Sequence, residues 1–296
     1  MNKAKMIKRK KGRITLFDLF NILILGLFGI ACLYPLIYVF ASSISNGTAV
    51  DAGKVLLIPK GINMESYKIV LFDKQFWISY GNTLYYTAFG SLFSMLVSTP
   101  AAYVLSKKKF KSRKFINLLL TFTMWFTPGF IPLYLNYSGL GAINNRFMML
   151  VSFGIQAFYI ILLRNYFESV PEEIEESAKI DGASDFRCFL KIYLPLSKPS
   201  MATVWLYYAM SRWNAYFWSS VLLKDMNKIP LQVYLKQKII DKQLVTEAAR
   251  TIAGQEYSYN TIIYAMVFCS IIPVLLVFPY IQRFFVKGTM VGGVKG

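Results

Sequence analysis

An all-α integral membrane protein of about six transmembrane helices is the fold this chain predicts. Three observations predict it: long uncharged apolar runs, Lys and Arg gathered beside alternate run ends, and prolines set within the runs. Runs of 18 or more apolar residues read as membrane helices, because ~20 residues at 1.5 Å rise cover the ~30 Å hydrocarbon core. Five stand out, at 19–41, 79–105, 115–135, 200–223 and 260–282; a sixth, 147–163, extends through Asn165 and Phe167. Backbone amides in lipid must be paired internally, so these runs are helices and not open strands. The chain then divides into a basic arm (1–15), a first span (16–42), an outer loop (43–74), a five-span region (75–287) with a charged loop at 169–199, and a glycine-rich tail (288–296) expected to be flexible.

The formal charge of +18 would suggest nucleic acid in a soluble protein. Its location argues for topology instead, since the membrane face richer in Lys and Arg is the cytoplasmic one. Lys3, Lys5, Lys8, Arg9, Lys10, Lys11 and Arg13 precede the first span, and Lys107, Lys108, Lys109, Lys111, Arg113 and Lys114 follow the second. Arg164, Lys179, Arg187, Lys191 and Lys198 lie in the charged loop, and Arg283, Lys287 and Lys295 near the end. Both termini are expected to be cytoplasmic, the basic clusters anchoring lipid headgroups, with no nucleic-acid partner. The first apolar run exceeds the 7–15 residues of a secretory signal, so it is read as a retained span despite the small residues Ala41-Ser42-Ser43.

Three cysteines and no histidine exclude much chemistry. Cys32 and Cys269 fall in spans and Cys188 in the charged loop, so neither a disulfide framework nor a zinc site is readable. Without His there is no Ser-His-Asp or Cys-His pair and no His-ligated metal. No G-x-x-x-x-G-K-S/T sequence occurs, so any ATP hydrolysis belongs to another subunit.

Along the chain, 42–78 is outside with turns at Asn46-Gly47 and Pro59-Lys60-Gly61, 136–146 is a short outer loop, and 224–259 is a long one apolar enough to fold partly against the spans. Pro100, Pro128, Pro132, Pro273 and Pro279 lie in spans, where a lost donor and a clash one turn back kink or interrupt a helix. Pro128-Gly129 with Pro132 is expected to break the third span. Bent helices suit a cavity that opens alternately to two sides, although membrane helices also tolerate Pro and Gly for no functional reason.

The segment from Pro171 to Pro195 is the most informative. Ser169 fits an N-cap and Glu172 completes a capping box. Glu172, Glu173, Glu175 and Glu176 then sit at the positive end of the helix dipole, worth ~0.3–1 kcal/mol each, a placement that structure alone could explain. Glu175 and Lys179 make an i, i+4 pair. Asp181-Gly182 ends this helix, Gly supplying the left-handed conformation, and Ser184 caps a second one. Phe186, Phe189, Leu190 and Tyr193 fall at i, i+3, i+4 and i+7, one apolar stripe before Leu194-Pro195 stops the helix. Such a stripe must be covered by lipid, by the spans or by a partner's groove.

Glu176-Ser177-Ala178, Asp181-Gly182-Ala183, Ile192, Leu194-Pro195 and Pro199 resemble the EAA loop of ATP-binding-cassette importer permeases, usually E-A-A, three residues, G, then I-x-L-P. Ser177 replaces the first Ala. Asn82-Thr83, Ala101-Ala102-Tyr103, Pro132-Leu133-Tyr134, Trp213-Asn214 and Gly292-Gly293-Val294-Lys295-Gly296 are similar to the sugar-importing, maltose-type branch, and the likeness covers roughly 75–296. The resemblance implies a type I importer permease of the bacterial plasma membrane. A second permease subunit, two ATPase subunits that hold the ATP and Mg, and an extracytoplasmic substrate-binding protein would accompany it. It implies no cofactor on this chain and no catalytic residue. Its glutamate, here Glu176, would pair with a basic residue in an ATPase cleft, with Gly182 as the turn. The docking set comprises Glu176, Ser177, Ala178, Asp181, Gly182, Ala183, Phe186, Phe189, Leu190 and Tyr193; Gly292, Gly293 and Lys295 would approach the ATPase interface.

Arg212, followed by Trp213-Asn214, is the only basic residue well inside a span. A charge there costs ~2.5–3.5 kcal/mol on insertion scales, so it faces a partner, another subunit or a wet path, or it snorkels. Aromatics make up 17% of the chain and could cover the C–H faces of a sugar, though most serve packing or the interface belts. The expected function is import of a sugar, an oligosaccharide first. A polyol or glycerol phosphate is the alternative within the superfamily. A stand-alone transporter or channel would need coupling charges within the spans, and a membrane-embedded enzyme a catalytic cluster; apart from Arg212 neither exists.

Overall fold

The computed structural model describes residues 15–244 and 258–292, and these form helices and connecting loops with no strand among them. Two compact units divide the chain: one comprises residues up to Lys68 with Glu247–Phe268, the other Ile69–Thr246 with Cys269 onward.

In the first unit, α1 (Leu16–Ser43) begins three residues ahead of the apolar run. Thr15 and Asp18 make a reciprocal capping box, Thr15 N–H donating to Asp18 Oδ2 at 2.9 Å, which satisfies orphan amides of the first turn. Most of α1's large apolar side chains, Leu19, Phe20, Leu23 and Phe28 among them, are exposed. After α2 (Gly47–Asp51), backbone bonds from Asn46 N–H to Lys60 O and Asn63 N–H to Ile44 O, both 2.9 Å, close the 46–62 loop. Ser66 donates to Thr261 at 2.7 Å, and Tyr38 packs edge-on against Tyr264 at 5.6 Å.

Following α3 (Glu65–Phe72), the second unit is organised on α4 (Lys74–Ser106), which packs against four other helices. Its buried face carries Ser79, Thr83, Gly90, Ser91, Ser94, Ser98 and Ala102. Small side chains let helix backbones approach closely where lipid provides no hydrophobic drive for association. The unit also holds α5 (Arg113–Trp125), α6 (Phe130–Gly139), α7 (Arg146–Val151), α8 (Ala157–Glu168), α12 (Lys198–Trp213), α13 (Phe217–Leu222) and α14 (Leu231–Leu244); α7, α8, α12 and α14 pack on α4, α5 on α8 and α13 on α14. Between α8 and α12 lie α9 (Glu172–Ile180), α10 (Asp185–Cys188), a π turn (Phe189–Tyr193) and α11 (Leu194–Leu196). The last helix, α15 (Tyr259–Gly292), runs from the first unit into the second.

Three described helices, α1, α4 and α15, are long and apolar enough to cross a membrane alone, and α5 with α6 makes a fourth, bent by 118°. The break expected at Pro128-Gly129 is there, Gly129 taking φ +85°. The expected fourth and fifth spans are not single helices. The fourth is split into α7 and α8 by 152–156, where Phe153 takes φ +59°; the fifth is split into α12 and α13 by 214–216. No proline marks either break; Gly154 lies in the first, but a lone glycine is tolerated within a helix and so is a weak signal. Conversely, Pro100 lies inside α4 and Pro273 and Pro279 inside α15 without ending either helix. α15 continues through Gly292, past the start of the expected flexible tail at Gly288; a glycine costs only about 1 kcal/mol within a helix.

The outer loop folds partly against α4, as its apolar content suggested. Asn82 Nδ2 donates to Asn227 O (2.8 Å) and Ile229 O (3.0 Å), Tyr86 to Lys228 O (2.8 Å), and Thr83 accepts from Leu231 N–H (2.7 Å). Those contacts leave few orphan amides in an irregular segment, which is what fixes its path.

Candidate functional site

The charged loop forms a two-helix corner. α9 begins at Glu172 with Pro171 as N-cap and no side-chain cap, so the capping box from Ser169 does not form. Ser169 instead closes α8, its hydroxyl donating to Tyr166 O at 2.7 Å. Pro171 disfavours helical geometry at Val170, which separates α8 from α9. Asp181 ends α9, Gly182 turns the chain at φ +80°, and Ser184 caps α10 by accepting from Arg187 N–H at 3.3 Å. A Cβ at Gly182 would meet no atom, so its need is conformational, not steric.

The expected apolar stripe divides into two faces. Phe189 and Tyr193 are buried, whereas Phe186 (68% exposed) and Leu190 (44%) are open, as is Ile180 (87%). The π turn is the cause: it carries one residue more than an α turn, so positions on either side lose α-helical phase. Tyr103 of α4 receives the buried face, with ring centroids 4.8 Å from Phe189 and 5.0 Å from Tyr193. Pairs of this kind contribute ~0.5–1.5 kcal/mol each beyond area burial.

Glu175 lies at the centre of the corner. Its Oε2 accepts from Lys107 Nζ at 2.5 Å and Tyr193 OH at 2.6 Å, and its Oε1 from Lys179 Nζ at 2.8 Å. Burial pushes its carboxyl pKa up, but the three donors outweigh that and hold it at about 2. Burial lowers Lys107 more than its bond to Glu175 raises it, while Asp185 and Glu175 together raise the more open Lys179. Lys179 also reaches Asp185 at 2.8 Å, tying α9 to α10, and Tyr103 donates to Asp185 O at 3.1 Å. The ammonium of Lys107 lies 3.6 Å from the Tyr193 ring centroid. The corner is thereby fastened to the end of α4.

Glu176, one residue on, is exposed, as are Ser177, Asp181 and Gly182; Ala178 and Ala183 are half-buried. A cleft of about 370 Å³ beside them is lined by Lys107, Lys108, Glu168, Glu172, Glu176 and Tyr193. Glu172 pairs with Lys108 at 2.6 Å, and Arg113 with Glu168. Lys107, Tyr103 and Asp185 were not picked out from sequence. Lys107 was hidden among six basic residues read as topology signals, and Tyr103 carried only its place in Ala101-Ala102-Tyr103.

Arg212 is 7% exposed and donates to Met149 O at 2.6 Å and Leu150 O at 2.9 Å, the last carbonyls of α7. It thus satisfies acceptors that the break in the fourth span leaves open. A Cβ at Gly90 or Gly154 would come within 3.1 or 3.2 Å of its guanidinium, so glycine makes room for it. Trp213 is buried edge-on to Tyr80 at 6.2 Å, and Asn214 is exposed at the helix end. Gly292 is the last described residue and is helical; Gly293 and Lys295 lie outside the described residues.

A chain of interrupted membrane helices with a charged two-helix corner locked to one span is the architecture of a transport subunit. Residues 8–291 match the family described as binding-protein-dependent transport system inner membrane component, and the chain belongs to it. It is an integral, multi-pass inner-membrane component of an ABC importer, with the type I permease fold. It is 36% identical over 282 residues to the polygalacturonan/rhamnogalacturonan transport system permease protein YtcP of Bacillus subtilis (strain 168), covering 94% of this chain and 99% of that one. Over 299 residues it is 31% identical to the galactooligosaccharides transport system permease protein GanQ of Bacillus subtilis (strain 168), covering 98% and 100%. A solved bacterial ABC transporter involved in the import of the acidic polysaccharide alginate matches with a TM-score of 0.85 and 47% identity, covering 91% of this chain and 96% of that chain.

Proposed function

We propose that this chain is one of two permease subunits of an ATP-driven importer that moves an oligosaccharide inward by alternating access. The observation that carries the reading is the corner itself. Around the Gly182 turn it presents Ile180, Phe186 and Leu190 beside Glu176, while Glu175, Lys107 and the buried rings hold it against α4. Apolar anchors rimmed by an open carboxylate suit a groove with a basic residue in a partner protein. The partner is an ATPase subunit carrying ATP and Mg, and closure of two such subunits swings the corner and α4 with it. Phe189 and Tyr193 act inside this chain, as its grip on the corner. A binding protein delivers the sugar to the opposite face, and both termini share the corner's cytoplasmic side, the face richer in Lys and Arg. The saccharide class rests on the relatives' transport of polygalacturonan, galactooligosaccharides and alginate.

Glu176→Ala and Gly182→Pro test it in proteoliposomes holding the whole complex. Both should insert normally yet move at least tenfold less sugar per ATP hydrolysed. Wild-type coupling in both would refute the docking assignment.

A further inference from the structure

The three internal breaks converge on one group of rings. Phe130 opens α6 directly after the first break, Phe153 lies within the second, and Phe217 and Trp218 open α13 after the third. The Trp218 indole stacks on Phe130 at 5.5 Å (29°) and on Phe153 at 5.2 Å (28°), and Tyr137 closes on Phe153 at 4.5 Å. Phe130 (47%) and Phe217 (55%) keep open faces.

Lipid is a poor occupant for this surface. Irregular backbone at membrane depth persists only where protein buries it or water reaches it. No side chain caps α6 at Gly129 or α8 at Gln156, so the N–H donors opening these helices need acceptors from elsewhere. Ser152, in the second break and 5% exposed, has a hydroxyl without a partner, and Asn136 and Asn214 are exposed. Polar breaks with ring faces between them fit a saccharide, whose hydroxyls meet the former and whose C–H faces cover the latter.

Charge narrows the class. No Asp or Glu occurs from 74 to 167 or from 186 to 224, whereas Arg212 lies buried there, in no ion pair among the described residues. Its guanidinium abuts Gly154, the neighbour of Phe153. The carbonyls of α7 offset only part of a full charge, and its field is strong in a low-dielectric site. We infer that Phe130, Phe153, Phe217 and Trp218, with the field of Arg212, form a subsite for an acidic oligosaccharide on the translocation path. This deepens the importer reading and rests on it.

The test is a fluorescence titration of the purified, fully assembled transporter without binding protein, using trigalacturonate and galactotriose as probes. Trigalacturonate should shift the emission and bind at least tenfold more tightly than galactotriose. Trp218→Phe should remove most of the shift, and Phe130→Ala should weaken both sugars at least fivefold. Arg212→Gln should erase the preference for acid and Arg212→Lys should retain it. Equal affinity for the two sugars overturns the acidic assignment, and full affinity in Phe130→Ala overturns the site even if the Arg212 variants do not assemble. Uptake by the wild type separates the two ideas: import of either sugar without any emission change sinks the subsite alone, and import of neither sinks the saccharide reading.

Discussion

At Glu175 two opposing effects fix the carboxyl: burial raises its pKa, and donation from Lys107, Lys179 and Tyr193 lowers it further than burial raises it, to about 2. A depressed carboxyl pKa contributes stability above its unfolded value and loses it as pH falls through the folded one. The corner should therefore keep this contribution at neutral pH and lose it between about 4.5 and about 2. Partial solvent screening limits it to ~1–2 kcal/mol. Thermal melting of the purified complex should show that loss, and Glu175→Gln should melt lower at pH 7 with a flatter acid limb. An unaltered acid limb would place the titrating group elsewhere. Sequence gave the Glu175–Lys179 pair because both members lie one turn apart on one helix. It could not give Lys107, whose partnership depends on how α9 folds back on α4. Likewise the chemistry of Arg212 was legible only as a cost; its carbonyl partners arise from a break marked by nothing stronger than the single Gly154.

Among the elements, α4 and the loop at 225–231 test how a motif acquires a physical role. Asn82-Thr83 entered as a likeness to a family, and the structure gives both side chains backbone partners at Asn227, Ile229 and Leu231. Asn82→Ala should leave the Ile229 carbonyl without its donor and Arg146 without the Asn82 Oδ1 acceptor, loosening the loop at a cost of ~1–3 kcal/mol. Limited trypsin digestion of the complex should then cut at Lys224 or Lys228 several-fold faster than in wild type. An unchanged cutting rate would mean that Tyr86 and Thr83 suffice. Helix existence was readable wherever an apolar run was long and unbroken, as in α1, α4 and α15. The phase of the helical segment after Gly182 was not, because the π turn depends on seating Phe189 and Tyr193 against Tyr103. Pattern counting assumes one period throughout, and here the tertiary contact overrode it.

For the whole molecule, the distribution of Lys and Arg carries a direct prediction. A fluorescent protein fused to the C-terminus should fold and fluoresce, and alkaline phosphatase at the same point should stay inactive, if that end lies on the cytoplasmic face that the Lys and Arg distribution predicts. The opposite pair of results would invert the topology and remove the docking corner from any ATPase. Membrane class and number of apolar runs were legible from the length and spacing of the uncharged stretches; the meeting of three breaks at one cluster of rings was not, since it is a property of packing and not of any single run. One further consequence follows from α4. Its 33 residues span about 50 Å at 1.5 Å each. One end is gripped through Tyr103 and Lys107, and the stretch from Gln75 to Tyr86 near the other holds the 226–231 segment. A rigid tilt of about 5° at the first grip would displace the far end by about 4 Å, the scale of a sugar ring. Pro100, which cannot donate to the Leu96 carbonyl, places a compliant joint close to the end gripped by the corner. Under the proposed docking, the rod would give slightly at Pro100 while the long shank beyond it stays straight, linking the corner at one end to the 226–231 segment at the other through a single helix.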